Sequence, residues 1–160
     1  MSLTGDDASI DPIEAEILSV RAMWEKLDTF LQEIPFFKQL GLEKIKRISE
    51  RGEMKECLVG EILVRQNEIA NLFYIILQGQ ANCYTESDGS LVPMAVLRCG
   101  DFFGGKSLFN NLPSVATVEA EDGLICFTMT DRAFQEELTP VIKQLQEAAN
   151  QYRMFIEQQI

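Results

Sequence analysis

The residues from Phe102 to Val118, FFGGKSLFNNLPSVATV, hold most of the groups in this chain that could do chemistry. Gly104 and Gly105 can form a turn that exposes backbone N–H groups, and Lys106, Ser107, Ser114 and Thr117 add a cation and hydroxyls close by. The first amides of a helix are unpaired donors at its positive end, so a glycine turn entering a short helix can hold a phosphate. Such sites usually recruit an arginine, whose planar fork of donors meets two oxygens at once. This stretch has none, and Ser114 follows Pro113 where an arginine would serve. Three readings stand open: a phosphate pocket, a former one, or an ordinary turn.

The rest of the composition narrows the alternatives. The chain has no histidine, which excludes His-dependent triads and the histidine-ligated metal sites of jelly-roll enzymes, so no enzymatic activity is expected. Cys57, Cys83, Cys99 and Cys126 form no CxxC pair, and three of them lie in apolar, strand-like context. Buried free thiols in a reducing cytoplasm are expected, with no zinc site. A net charge of −11 argues against nucleic acid or an anionic membrane as partner. The longest apolar run, Leu72 to Leu77, is far short of a membrane span, and the polar, acidic start carries no signal-peptide pattern.

The elements that must position the glycine turn follow from periodicity. At 160 residues the chain supports one domain with flanking helix. Residues 1–34 carry 8 acidic and 2 basic side chains, against 4 and 6 over residues 35–58, so 1–34 is set apart as an acidic helical segment and 35–160 as the main domain. Asp11, Pro12 and Glu14 read as a helix cap, first position and capping box. Ile13, Ile17, Val20, Trp24, Leu27 and Leu31 then recur at heptad spacing. This narrow stripe reads as a contact element for a second chain or neighbouring domain. Removal of residues 1–32 is accordingly expected to leave a folded barrel.

A short helix is expected over Leu42 to Ile48. From Gly52 onward short apolar runs alternate with turns at Gly60, Gly79, Gly100 and Gly123, and Asp88-Gly89 marks a hairpin. Many short strands at regular spacing imply a mainly β domain, an antiparallel jelly-roll barrel with flanking α-helices. Helix resumes at Asp131, and Pro140 opens a last helix.

At VGEILVRQNEIANLFYIILQGQANCY the sequence resembles a cyclic nucleotide-binding domain, on Gly60, Glu61, Ile62, Phe73, Tyr74, Ile75, Ile76 and Gly79. Asn67 stands in place of a common glycine and tolerates positive φ. The resemblance spans roughly residues 34 to 150 and implies that the glycine turn is the family's phosphate-binding cassette. Phe103, Gly104, Ser107, Leu108, Pro113, Ala116 and Thr117 fit it. Gly105 replaces the ribose-binding glutamate and Ser114 the phosphate-binding arginine. Phe-Gly-x-Lys-x-Leu further resembles the cassettes of cyclic GMP-dependent protein kinases, although Val115 stands where they carry a guanine-selecting Thr or Ser.

The resemblance implies a regulatory domain of a cyclic nucleotide-dependent, cyclic GMP-type protein kinase. Its ligand would be cyclic GMP or cyclic AMP, with no other cofactor, and its partners the kinase catalytic domain, sibling regulatory domains or, through the acidic helix, a second copy. It also implies that a C-terminal helix closes over the ligand, and Tyr152 and Phe155 are the candidate lid. Loss of one member of a buried charge-assisted pair commonly costs about 2–5 kcal/mol, so binding of either cyclic nucleotide is expected to be weak or lost. The alternatives are a ligand-free interaction module and a pocket for an uncharged, nucleoside-like ligand. Lys106 is expected to be a solvated surface lysine. Restoring both absent residues, Gly105→Glu with Ser114→Arg, is expected to regain at least about tenfold in affinity.

Overall fold

The computed structural model describes residues 11–14, 27, 30–34 and 37–159, apart from the side chains of Tyr152 and Gln159. Two four-stranded antiparallel sheets face one another. One has the order β1-β8-β3-β6, with β1 at Glu53–Glu56, β3 at Leu72–Gln78, β6 at Phe102–Gly104 and β8 at Ile125–Thr130. The other has the order β2-β7-β4-β5, with β2 at Ile62–Val64, β4 at Ala81–Ser87, β5 at Ser90–Leu97 and β7 at Thr117–Ala120. This is the expected jelly-roll barrel. Helix α1 (Leu42–Arg51) precedes it, and α2 (Asp131–Leu138), a 3₁₀ turn over Thr139–Val141 and α3 (Ile142–Gln159) follow.

The apolar run Leu72 to Leu77 is central because it is buried on both faces. Side chains alternate along a strand, and here Phe73, Ile75 and Leu77 join the helices while Tyr74 and Ile76 fill the space between the sheets. Strand β8 does the same with Ile125, Phe127 and Met129 on the helical side and Cys126 inside the barrel. Strand β3 runs between β8 and β6, so its backbone is paired on both edges. Its Phe73↔Gly104 register brings the glycine turn to the sheet's edge.

Local signals hold up in detail. Asp88 (φ 52°) and Gly89 (φ 79°) both adopt positive φ between the paired Ser87 and Ser90, the tight turn that matches strand twist. Asn67 has φ 70°, which gives the turn that a glycine would otherwise make. The Asp11 carboxylate accepts from the Ile13 amide at 2.9 Å, as a helix cap should. Cys57, Cys83 and Cys126 are buried, whereas Cys99 is exposed. Among the described residues no helix is long and apolar enough to cross a membrane.

The acidic segment ends differently from expectation. Ile17, Val20 and Trp24 lie outside the described residues, and Ile13 is exposed, but Leu27 and Leu31 are fully buried in one cluster with Ile45, Phe73 and Phe127. The last two seam positions therefore pack on this domain. A truncation at residue 32 would remove the buried side chains of Leu27 and Leu31 from this cluster.

Helices α1 and α2 are bolted together by a buried carboxylate. Glu137, with a side chain 3% exposed, meets Lys44 at 3.0 Å, Arg51 at 2.8 Å and Arg47 at 3.6 Å. Arg51 also reaches Glu136 at 2.9 Å. The hydrogen bond from Lys44 is the largest influence holding the Glu137 carboxyl below its ordinary range, with Arg51 adding to it. A buried charge is tolerated when paired and hydrogen-bonded in this way.

Candidate functional site

The glycine turn leaves β6 with two successive residues at positive φ, Gly104 (75°) and Gly105 (85°). A Cβ at Gly105 would lie 3.3 Å from Phe73 Cβ, in a backbone region that costs an L-residue about 1–2 kcal/mol. Glutamate is thus disfavoured at Gly105 by the backbone itself. This strain works against the Gly105→Glu half of the double change.

Beyond Gly105 the chain forms a succession of turns in place of the expected short helix. The Asn111 amide donates to the Lys106 carbonyl at 2.7 Å, and Asn110 and Asn111 adopt φ of 54° and 64°. Consecutive left-handed residues cannot continue a right-handed helix. Asp131, the first residue of α2, accepts from the Ser107 amide at 3.1 Å, while Gln135 donates to the Ser107 hydroxyl at 2.6 Å. A protein carboxylate and amide therefore hold the Ser107 groups.

The remaining hydroxyls also have internal partners. The Ser114 hydroxyl donates to the Ala116 carbonyl at 2.7 Å and accepts from the Ala116 amide at 3.3 Å, closing a local turn. The Thr117 hydroxyl accepts from the Gln66 amide at 3.0 Å. Ser114 is further fixed by its backbone, which pairs with Glu68 and Asn67.

A cavity of about 430 Å³ opens between the glycine turn, the barrel mouth and α3. Phe103, Gly104, Gly105, Leu108, Ser114, Val115 and Ala116 line it, so most of the predicted cassette comes together around one space. Lys106, Ser107, Pro113 and Thr117 are outside its lining. Phe103 stacks on Tyr74 with ring centroids 4.7 Å apart and planes 5° apart. Burial is the main cause pushing the Tyr74 phenol up to about 12, so this ring is an uncharged part of the barrel wall at neutral pH.

Helix α3 supplies the facing wall through Ala148, Ala149, Arg153 and Ile156. Ile156 is 1% exposed and packs with the barrel's inner cluster. Gln146 donates to the Ser107 carbonyl at 2.9 Å, and the Arg153 guanidinium donates to the Pro113 carbonyl at 2.7 Å. The helix is therefore fastened at both ends of the cassette. Of the candidate lid residues, Phe155 is half exposed and lies outside the cavity lining, and the Tyr152 side chain lies outside the described residues.

Sequence reasoning missed Arg153 and Ile156 as wall residues, and Asp131, Gln135 and Gln146 as residues that hold the cassette. Positions 149, 153 and 156 are spaced 4 and 3, which places them on one helical face. That spacing was the available signal, and the charge on Arg153 masked it in a search for apolar seams.

A double-sheet barrel with a glycine turn at one sheet edge and a helix across its mouth is the architecture of a cyclic nucleotide-binding domain. The chain belongs to the cyclic nucleotide-binding domain family, whose model matches residues 54–139. Among relatives it is similar to the cAMP-dependent protein kinase regulatory subunit of Mycosarcoma maydis. The two are 35% identical over 126 residues, a region that covers 76% of this chain and 23% of that subunit's length. Among solved structures it is similar to the regulatory subunit of a cAMP-independent protein kinase A from Trypanosoma brucei, as a triple mutant bound to cAMP in the A site. That likeness has a TM-score of 0.74 and 25% identity, covering 88% of this chain and 53% of that one. The Trypanosoma cruzi counterpart, bound to guanosine, gives a TM-score of 0.70 at 26% identity, covering 81% and 47%.

Proposed function

We propose that this chain is a regulatory module of the protein kinase A regulatory-subunit type, in which canonical cyclic nucleotide binding is weak. The carrying observation is Ser114, which lines the cavity at the position of the family's arginine with its hydroxyl closed on Ala116. Occupancy of the cavity bears on α3, because the same helix forms its far wall and is tied to the cassette by Gln146 and Arg153. Movement of α3 then carries the signal to a kinase catalytic subunit or a neighbouring domain. The likeness to cyclic GMP-dependent kinases rests on Lys106 within the Phe-Gly-x-Lys-x-Leu pattern, and the relatives favour the cyclic AMP-dependent branch.

A second reading, a pocket that also accepts a purine nucleoside, has specific support. Two of the three changes in the Trypanosoma brucei mutant convert an adjacent threonine–valine pair to arginine–alanine, and that mutant is bound to cAMP. This chain carries the similar pair Ser114-Val115. The Trypanosoma cruzi counterpart is bound to guanosine, a ligand with no phosphate for an arginine to hold. Calorimetric titration with cyclic AMP, cyclic GMP and guanosine tests both readings. Cyclic nucleotides are expected to bind no tighter than about micromolar. A nanomolar dissociation constant for either would overturn the proposal.

A further inference from the structure

We propose that Arg153 is the cation of this site: carried in on α3, its guanidinium takes the phosphate of a purine nucleotide in place of the arginine that the cassette lacks at Ser114. The inference rests on the reading that the cavity accepts a purine ligand, and it deepens that reading by naming the residue that recognises the anion.

Arg153 is the one cation among the described residues of the cavity lining. Asp101, the carboxylate of that lining, accepts from the Arg98 amide at 2.7 Å within its own turn. The Arg153 side chain is 17% exposed and its Nη1 donates to the carbonyl of Pro113, the residue that precedes Ser114. The charge thus lies beside the backbone of the residue that precedes Ser114. A guanidinium has five N–H donors in a fixed fork. The contacts with Pro113 and, at 3.3 Å, with Glu157 engage Nη1 and Nε, and among the described residues no contact occupies Nη2, which is the donor that would meet an anionic oxygen.

The surrounding residues suit such a ligand. Ala148 and Ala149, on the same wall, are small enough to leave the cavity open beside the guanidinium. Ile156, one turn further along, is locked into the barrel's inner cluster, and Gln146 fastens the other end of the helix to the cassette. Arg153 is therefore positioned before a ligand arrives, and a partly buried cation acts on an anion with less screening than one in bulk water. Because the cation belongs to α3, phosphate contact and helix position are linked through one side chain.

Guanosine and cyclic GMP differ by the cyclic phosphate, which makes the pair a direct probe. The wild-type chain, Arg153→Gln, Arg153→Lys and the double variant Arg153→Gln with Ser114→Arg would each be titrated calorimetrically, after circular dichroism shows the barrel fold retained. The wild type is expected to prefer cyclic GMP over guanosine by at least about fivefold. Arg153→Gln should erase that preference while moving guanosine affinity by less than about threefold. Arg153→Lys should retain part of the preference, and the double variant should regain it with the cation moved to the cassette. Equal weakening of both ligands in Arg153→Gln would reduce Arg153 to a pin for the helix and overturn the inference. Guanosine binding with no phosphate preference in the wild type would overturn the inference alone. Binding of neither ligand would overturn the pocket reading as well.

Discussion

Two arginines fasten helices of this domain, and their partners differ in number and kind. Arg51 in the α1–α2 clamp places Nη1 on Glu137 and Nη2 on Glu136, at 2.8 and 2.9 Å. Arg153 on α3 meets a neutral carbonyl at 2.7 Å, with Glu157 at 3.3 Å as a half-exposed carboxylate neighbour. Yet Arg153 is the more buried of the two, with a side chain 17% exposed against 38%. A charge removed from water is costly unless it is paired, and here Arg51 is answered by two carboxylates whereas Arg153 is answered by one half-exposed carboxylate and a neutral carbonyl. Distinguishing a structural from a ligand-directed arginine thus requires both its burial and the charge of its partners.

The largest effect is expected in the apolar core beneath the clamp. Phe134 on α2 is fully buried with its ring centroid 4.8 Å from that of Phe73, so it joins the helical layer to the central strand. Phe134→Ala is expected to destabilise the domain by about 3–5 kcal/mol, measured by urea unfolding. A loss below about 1 kcal/mol would mean that the helical layer contributes little to the core.

A smaller effect sharpens the electrostatic half of the comparison. The Glu137 carboxyl titrates below its ordinary value in the folded protein, chiefly through the Lys44 hydrogen bond. The unfolded chain therefore takes up the proton at higher pH than the folded chain does. The stability supplied by Glu137 is present above its unfolded value, about pH 4.3, and is lost as pH falls through the folded value. Wild-type melting temperature should drop more steeply than that of Glu137→Gln between roughly pH 5 and 3, with the two converging in acid. Parallel curves would show that Glu137 gains nothing from its cations.

Features set by neighbouring residues were legible in the sequence. The Asp88-Gly89 hairpin, the Asn67 turn and the doubly buried strand Leu72–Gln78 follow from side-chain type and local spacing. The stretch from Phe103 to Ala116 likewise supplies part of the cavity lining. What was not legible involves contacts between distant residues. Arg153 meets Pro113 across 40 positions, and Lys44 meets Glu137 across 93. Periodicity carries no information about such pairs. Nor does composition reveal that Gly105 adopts a φ of 85° close against Phe73, a backbone that disfavours a side chain there.

Ser114→Arg alone is therefore the measurement closest to the central claim, that the cassette is formed around its cavity and binds weakly because its own cation is absent. The substitution leaves the Gly104-Gly105 backbone untouched and puts a fork of donors on a residue that already lines the cavity. Cyclic AMP affinity measured by calorimetry should rise at least about tenfold, equivalent to about 1.4 kcal/mol. No gain in a variant shown by circular dichroism to be folded would contradict the account, because the absence of an arginine at Ser114 would then not be what limits binding in this cavity.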